Sequence, residues 1–535
     1  MSMALIRPGP DASMFRRRDL LKIAMTGLAT PAVMTAGSAF AQTAAQSNPA
    51  ETDPRGPKFD SSQVLEAARA LARQPWRKPA HDLSDAYSSI SFEQYAAIRR
   101  KPAAAIWDGQ QTGFSMEPTT RGFIFTNNLQ INVVEDGYAR RLGYEAADFE
   151  FGKAPPPNDK RDAGFAGFRL KQRMPDGEMR EVLLFQGAGY FQTGARNQPF
   201  GAAARALAIR PVDTNKSEEF PNIAAVWVER PVLAANVVII HALLDSESVA
   251  GAFRFTLRPG DTTIVDTECT LFTRAALDHV GLATVQGTFL FGQIDRRRGD
   301  DVRPNVYDAS GLQMLTGKNE WIWRPVANRL NLQASAFMDE NPRGFGLVQR
   351  DRDFAHFKDD DQHWEARPSV WTEPIGDWGP GHVTLLEIPA ESQTNQNIVS
   401  YWRPRSPLAA NSEHSFAYRQ FWCWTPSARP PLTIASLSRA GRPPGAGPNS
   451  RRRRFMIEFN GEVLGDANAA PDVAARAHAS NAVLGPVRVV LVREQNAARV
   501  TFDVEAGAEP NIELRVILEA AGKQISETWL YRWTP

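Results

Sequence analysis

Phe253, Phe255 and Leu257 alternate with Arg254, Thr256 and Arg258; Pro259-Gly260-Asp261 then breaks the run, and Ile264 to Phe272 returns as a second β-rich stretch. Successive side chains of a strand point to opposite faces, so this period of two predicts a hairpin with one buried face. Runs of the same kind occur at Val182 to Phe185 and Val237 to Leu244, and the pattern persists to Phe416 to Trp424. Helical periodicity is confined to the start. Asp60 and Gln63 form a candidate capping pair before Val64, Ala68, Leu71 and Ala72 on one face, and Ser91 with Gln94 opens a shorter helix. Many half-buried strands need a second sheet to cover them, so residues 58–424 read as one large, mainly antiparallel β-sandwich.

A proline-rich break from Pro426 to Pro431 marks a linker over 425–433. Beyond it, Val487 to Val492, Arg499 to Val504, Leu514 to Leu518 and Thr528 to Trp533 read as short strands with turn residues between them. A stretch of about 100 residues of this kind, 434–535, suits an immunoglobulin-like β-sandwich. The fold class expected is therefore all-β. Arg451-Arg452-Arg453-Arg454 reads as a solvated loop entering a strand, with contact to an anionic partner as the alternative.

The N-terminus carries a different signal. Arg16-Arg17-Arg18-Asp19-Leu20-Leu21-Lys22 opens a mildly apolar stretch that closes with Ala39-Phe40-Ala41, the order of a twin-arginine signal peptide over residues 1–41. It predicts export to a bacterial periplasm, with cleavage after Ala41 and a polar linker over 42–57. Lys22, Thr26, Gly27, Thr30 and Pro31 interrupt the run, which falls short of the ~20 apolar residues of a membrane span. No later segment could span, so no transmembrane segment is expected in the mature chain.

Composition narrows the function classes. The 535 residues exceed what one core usually organises. Lys and Arg number 61 against 60 Asp and Glu, a net charge of +1 that argues against a nucleic-acid partner. Cys269 and Cys423 are read as buried free thiols, with a disulfide left open by their spacing. They exclude a cysteine-rich zinc site, and His356 and His363 lack the spacing of helical metal ligands. No metal and no cofactor is expected. There is no G-x-S-x-G elbow, and Gly317-Lys318-Asn319 lacks the remainder of a phosphate-binding loop.

Candidate chemistry concentrates in residues 354–382, where Trp364, Trp371 and Trp378 alternate with Arg367, Glu373 and the run Asp359-Asp360-Asp361. Sugar rings present flat C–H faces to indoles and hydroxyl edges to carboxylates and Arg, so these residues suit a neutral glycan. Glycoside chemistry would then need a proton donor at the leaving oxygen and a second carboxylate. By composition alone the alternative is a set of core tryptophans beside a solvated acidic turn.

The stretches Gly344-Phe345-Gly346-Leu347-Val348-Gln349-Arg350-Asp351-Arg352-Asp353-Phe354 and Arg367-Pro368-Ser369-Val370-Trp371-Thr372-Glu373-Pro374 closely resemble the periplasmic glucan biosynthesis proteins of the G and D type. Gly164 to Arg169, Glu218-Glu219-Phe220-Pro221, Leu243 to Ser246, Asn319 to Ile322 and Ser526-Glu527-Thr528-Trp529-Leu530-Tyr531 extend the resemblance over nearly the whole mature chain. The leader and the Ser-Glu-Thr-Trp-Leu-Tyr ending favour the D type. The resemblance implies a galactose-mutarotase-like β-sandwich followed by an immunoglobulin-like domain. It also implies control of the glucose backbone of osmoregulated periplasmic glucans, chains of β-1,2-linked glucose. Some members look like inverting β-1,2-glucanases, and others transfer the chain to close a ring. A non-catalytic glucan-binding chaperone or scaffold for the membrane-bound glucan synthase is the alternative.

The family's general base matches Asp308 in Asn305-Val306-Tyr307-Asp308, and the Asp that precedes Asn-Ile-Val in the hydrolytic members is matched by Gln396. A neutral amide can hold a hydrogen bond to a glycosidic oxygen but cannot deliver a proton to it. Glu391 is the nearest acid along that segment. Asp308 and Gln396 are thus the candidate reacting pair, with Trp364, Arg367, Trp371, Glu373 and Trp378 as the candidate sugar contacts.

Overall fold

A computed structural model describes residues 56–535 except 81–82, 158–161, 214–215, 233–234, 296–299, 427–431 and 448–449. The leader and all but the last two residues of the 42–57 linker lie outside this range, as does the middle of the 425–433 linker.

The chain is an all-β sandwich. The hairpin read from alternation forms as Val249–Arg258 against Thr263–Thr273, antiparallel, with Leu257 opposite Val265 and Arg258 opposite Ile264. Its inward residues Phe253, Phe255 and Leu257 are buried, because the polar alternates take the solvent face. The hairpin belongs to a sheet of fifteen strands, which faces a second sheet of ten. Phe185 and Phe191 from the smaller sheet meet Phe255 and Trp422 from the larger one at ring separations of 5.4–5.8 Å, which fixes where the core lies.

The early helices form on local signals. Ser91 and Gln94 make a reciprocal capping box on the helix Phe92–Ala97. The first helix, Ser62–Ala72, buries Val64 and Ala68 but has Ser61 at its cap without a side-chain bond. Asp60 accepts instead from the Ser62 amide, and Gln63 reaches the Lys58 carbonyl, so the expected Asp60–Gln63 pair does not close. Cys269 and Cys423 are buried free thiols, each pushed up to about 12 by burial.

Strands on either side of the 425–433 linker share one sheet. Trp321–Pro325 pairs in parallel with Thr528–Trp533, Ile322 opposite Thr528 and Trp323 opposite Trp529. The seam is locked by charge: Arg350 makes two bonds to Glu527, at 2.5 and 2.9 Å, and its guanidinium lies 3.5 Å over the Trp323 ring. Glu527 is fully buried and accepts the Ala435 amide, while Arg350 donates to the Ala435 carbonyl. Removing one member of a buried pair strands the other without water. Glu527→Ala should therefore lower unfolding stability by about 3–5 kcal/mol in urea denaturation, and a loss below about 1 kcal/mol would show that the seam does not depend on this pair.

Candidate functional site at Asp308 and Gln396

Strand alternation locates the site. Phe191 enters the core, so its neighbour Tyr190 in Tyr190–Thr193 stands on the opposite, outer face of the ten-stranded sheet. Tyr190 is paired with Arg205, Arg205 with Thr284, and Gln286 lies two residues along from Thr284. Tyr190, Arg205 and Gln286 therefore share that outer face and form a polar floor.

Over this floor come three loops. The first carries Asp308, just past the strand Val306–Tyr307. Tyr307 is stacked on Phe289 at 5.1 Å, meets Phe357 edge-on at 5.0 Å and donates to Asp351 at 3.2 Å. With Tyr307 held in the core, the next side chain turns the other way. Asp308 is 2% exposed; its Oδ1 accepts the Thr288 amide at 2.7 Å and its Oδ2 lies 3.6 Å from Arg367. Burial raises its pKa against the opposing pull of Arg367 and the Thr288 amide. Gly287 makes room for this carboxylate: a Cβ there would sit 2.7 Å from Oδ1.

The second loop carries Gln396. Its Oε1 accepts from the Tyr190 hydroxyl and, at 2.9 Å, from Gln286 Nε2. Two donors on the carbonyl oxygen fix the amide so that Nε2, a donor only, is left for a ligand. The flanking residues are anchored too. Asn397 exchanges bonds with the Phe289 backbone at 2.9 and 3.0 Å, and Thr288 donates to the Asn395 carbonyl at 3.2 Å. Burial, followed by the charge of Asp308, pushes the Tyr190 phenol well up, so it stays a neutral donor. Tyr190 thus donates to Gln396 and feels the charge of Asp308, whereas Glu391 is exposed.

The third loop, within 354–368, supplies Arg367. Its guanidinium lies 3.8 Å over the Trp364 ring and donates to Gln362 at 2.8 Å. Trp364 is 1% exposed and donates to Asp359, which also takes Arg303 at 2.6 Å. Burial alone would raise Asp359, but donors from Arg303, Trp364 and the Gln362 amide hold it below the usual range. Asp359 is therefore a structural anchor, and only Asp360 and Asp361 of that acidic run are exposed. Arg303 also reaches Gln393 at 2.7 Å and ties the third loop to the second.

Of the expected sugar contacts, Arg367 and Trp364 join Asp308, with Trp364 beneath Arg367 and not open to a ligand. Trp371 is fully buried, stacked on Trp321 at 5.8 Å and bonded to Glu373 at 3.1 Å, on the other sheet. Trp378 is 6% exposed and packs edge-on against Phe416 and Tyr418. None of these three shares a bond or ring contact with the Asp308 cluster among the described residues. The sequence reading had no role for Tyr190, Gln286 or Arg205. It also quoted Glu218 and Phe220 only as part of the resemblance. Glu218 pairs with Arg205 at 2.8 Å, and Phe220, 68% exposed, lies 5.4 Å from that guanidinium. An exposed aromatic ring beside a paired Arg and Glu is a surface on which a sugar ring can stack. Among the described residues no cluster of His, Cys, Asp or Glu is placed to hold a metal ion.

The sequence matches the family described as "Periplasmic glucan biosynthesis protein, MdoG" over residues 59–533. It is 42% identical over 480 residues to "Glucans biosynthesis protein G" of Shewanella baltica (strain OS195), covering 89% of this chain and 87% of the relative. The protein of that name from Shewanella sp. (strain MR-4) is 41% identical over 480 residues, with the same coverage. These relatives carry the G designation, where the leader and the C-terminal motif pointed to the D type.

The close fit of Gly287 against Asp308 is testable by stability. Gly287→Ala forces the carboxylate or the backbone to shift and should cost about 1–3 kcal/mol in denaturant unfolding. The same change at Gly441, where a Cβ meets nothing within 4 Å, is the control that should change little.

Proposed function

The chain belongs to the periplasmic glucan biosynthesis protein family, and from that premise we propose that it controls the glucose backbone structure of osmoregulated periplasmic glucans by holding β-1,2-glucan across Asp308 and Gln396. The observation that carries this is the fixed amide of Gln396, whose oxygen is occupied by Tyr190 and Gln286. Its Nε2 can grip a glycosidic oxygen without protonating it, while Asp308 accepts from a sugar hydroxyl or a water beyond it. Arg367 keeps Asp308 compensated, and Phe220 offers the stacking surface at the Arg205 end. Twin-arginine export would bring the folded chain to its substrate. Residues 58–424 would handle the glucan, and residues 434–535, read as an immunoglobulin-like domain, would face the membrane-bound glucan synthase. Among the described residues no helix is long and apolar enough to cross a membrane.

A second reading is favoured by Asp308, a buried carboxylate that burial raises and Arg367 holds back. There the chain hydrolyses the glucan with inversion or transfers it, with Asp308 as base and an acid other than Gln396 as the proton donor. Incubating the purified mature protein with linear β-1,2-glucan separates the two. Binding without new reducing ends or cyclic products is expected, and formation of either product by the unaltered chain would sink the holding reading in favour of the second.

Gln396→Asp should restore a proton donor and raise hydrolysis by about 10²–10⁴-fold. In that variant Asp308 must be ionised to act as a base. The rate should therefore climb with pH through a limb above the ordinary Asp range, because burial raises this group. Adding Arg367→Met removes the nearest cation and should move the limb to higher pH; a limb that stays put would mean another group sets it. Phe220→Ala should weaken glucan binding by about tenfold, ~1.4 kcal/mol, in calorimetry without lowering stability.

A further inference from the structure

The arginine run that sequence reading left as a solvated loop borders a cavity of about 390 Å³, closed on its other sides by Asp295 and by Tyr531 and Trp533 of the last strand. Arg442, Arg451, Arg452 and Arg453 line it, with Asp295 as the one acidic side chain among the described residues there. The strand Arg452–Asn460 alternates, so Arg453 shares a face with buried Phe455, while Arg452 and Arg454 on the other face share Asp503 at 2.7–3.1 Å. Phe455 in turn meets Trp533 edge-on at 5.9 Å, and both rings line the cavity. Arg451 is tethered to the carbonyls of Ala506 and Gly507. Arg442 is exposed and makes no hydrogen bond or ion pair among the described residues.

Guanidinium groups recognise phosphate and carboxylate through paired N–H donors, and an indole edge or face accommodates a ring. A concave site that combines the two, with arginines outnumbering its acid, selects an anion attached to a compact body. We propose that this cavity binds an anionic sugar, its phosphate or carboxylate held by Arg442 and Arg453 and its ring packed toward Trp533. The cavity shares no lining residue with the Asp308 cluster, and the proposal does not rest on the glucan reading. Because Arg442 is exposed and Arg453 only half-buried, binding weakens as salt is raised.

The test is calorimetry on the full mature chain with glucose 6-phosphate, glucuronate, inorganic phosphate and glucose. One site is expected for glucose 6-phosphate or glucuronate, at least about tenfold tighter than for inorganic phosphate or for glucose. Phosphate and carboxylate heads are told apart by which of the two sugars binds more tightly, and either one supports the site. Arg442→Gln, at a position without a hydrogen bond or ion pair among the described residues, should weaken that binding by about fivefold or more with unfolding unchanged. Arg453→Gln should act in the same direction. Inorganic phosphate binding as tightly as the sugar anions would overturn the sugar assignment. Absence of binding by every probe up to about 10 mM, or binding indifferent to Arg442→Gln, would overturn the site itself.

Discussion

A carboxylate almost completely removed from water under loops that cover a sheet's outer face has to be supplied with donors by the fold, and much of the site is arranged around meeting that demand at Asp308. The Thr288 amide and Arg367 meet it directly, Gly287 leaves the space, and Tyr307 anchors the strand so that Asp308 turns outward. Each of these depends on a further contact. Arg367 is positioned by Trp364 and Gln362, Trp364 by Asp359, and Asp359 by Arg303. The acidic, tryptophan-rich loop is thus mainly a scaffold for one cation. Compensation remains incomplete, which is why burial still raises the Asp308 pKa.

At position 396 the chain places an amide that Tyr190 and Gln286 hold by its oxygen. Tyr190 and Gln286 would serve a carboxylate equally well as donors, so the pocket around position 396 is compatible with both chemistries. What the amide changes is the proton: it leaves a donor that cannot transfer it. The floor that holds Gln396 comes from one sheet, whereas Asp308 and Arg367 come from loops above it. Relative placement of the two halves therefore depends on the ties between loops, Arg303 to Gln393 and Thr288 to Asn395.

Local signals were well legible. The hairpin around Pro259-Gly260-Asp261, the capping box at Ser91 and Gln94, and the final strand Thr528–Trp533 all form where alternation and capping place them. Trp371 and Trp378 show the limit of composition. An indole near acids in sequence looks like a sugar platform, but its strand position decides which way it points. Trp371 stacks on Trp321 in the larger sheet and Trp378 enters an aromatic cluster. Phe220, in contrast, carries no local mark beyond its place in a resembling segment, yet its ring is exposed beside Arg205.

The sequence by itself determined the all-β class, the period of the hairpin strands and the family, because these follow from neighbours a few residues apart or from extended similarity. The tertiary structure decided which side chains meet. Tyr190 reaches Gln396 across 206 positions and Arg350 reaches Glu527 across 177. Such meetings arise from sheet pairing and loop closure, whose register depends on burying a whole face at once and is not encoded in any single stretch.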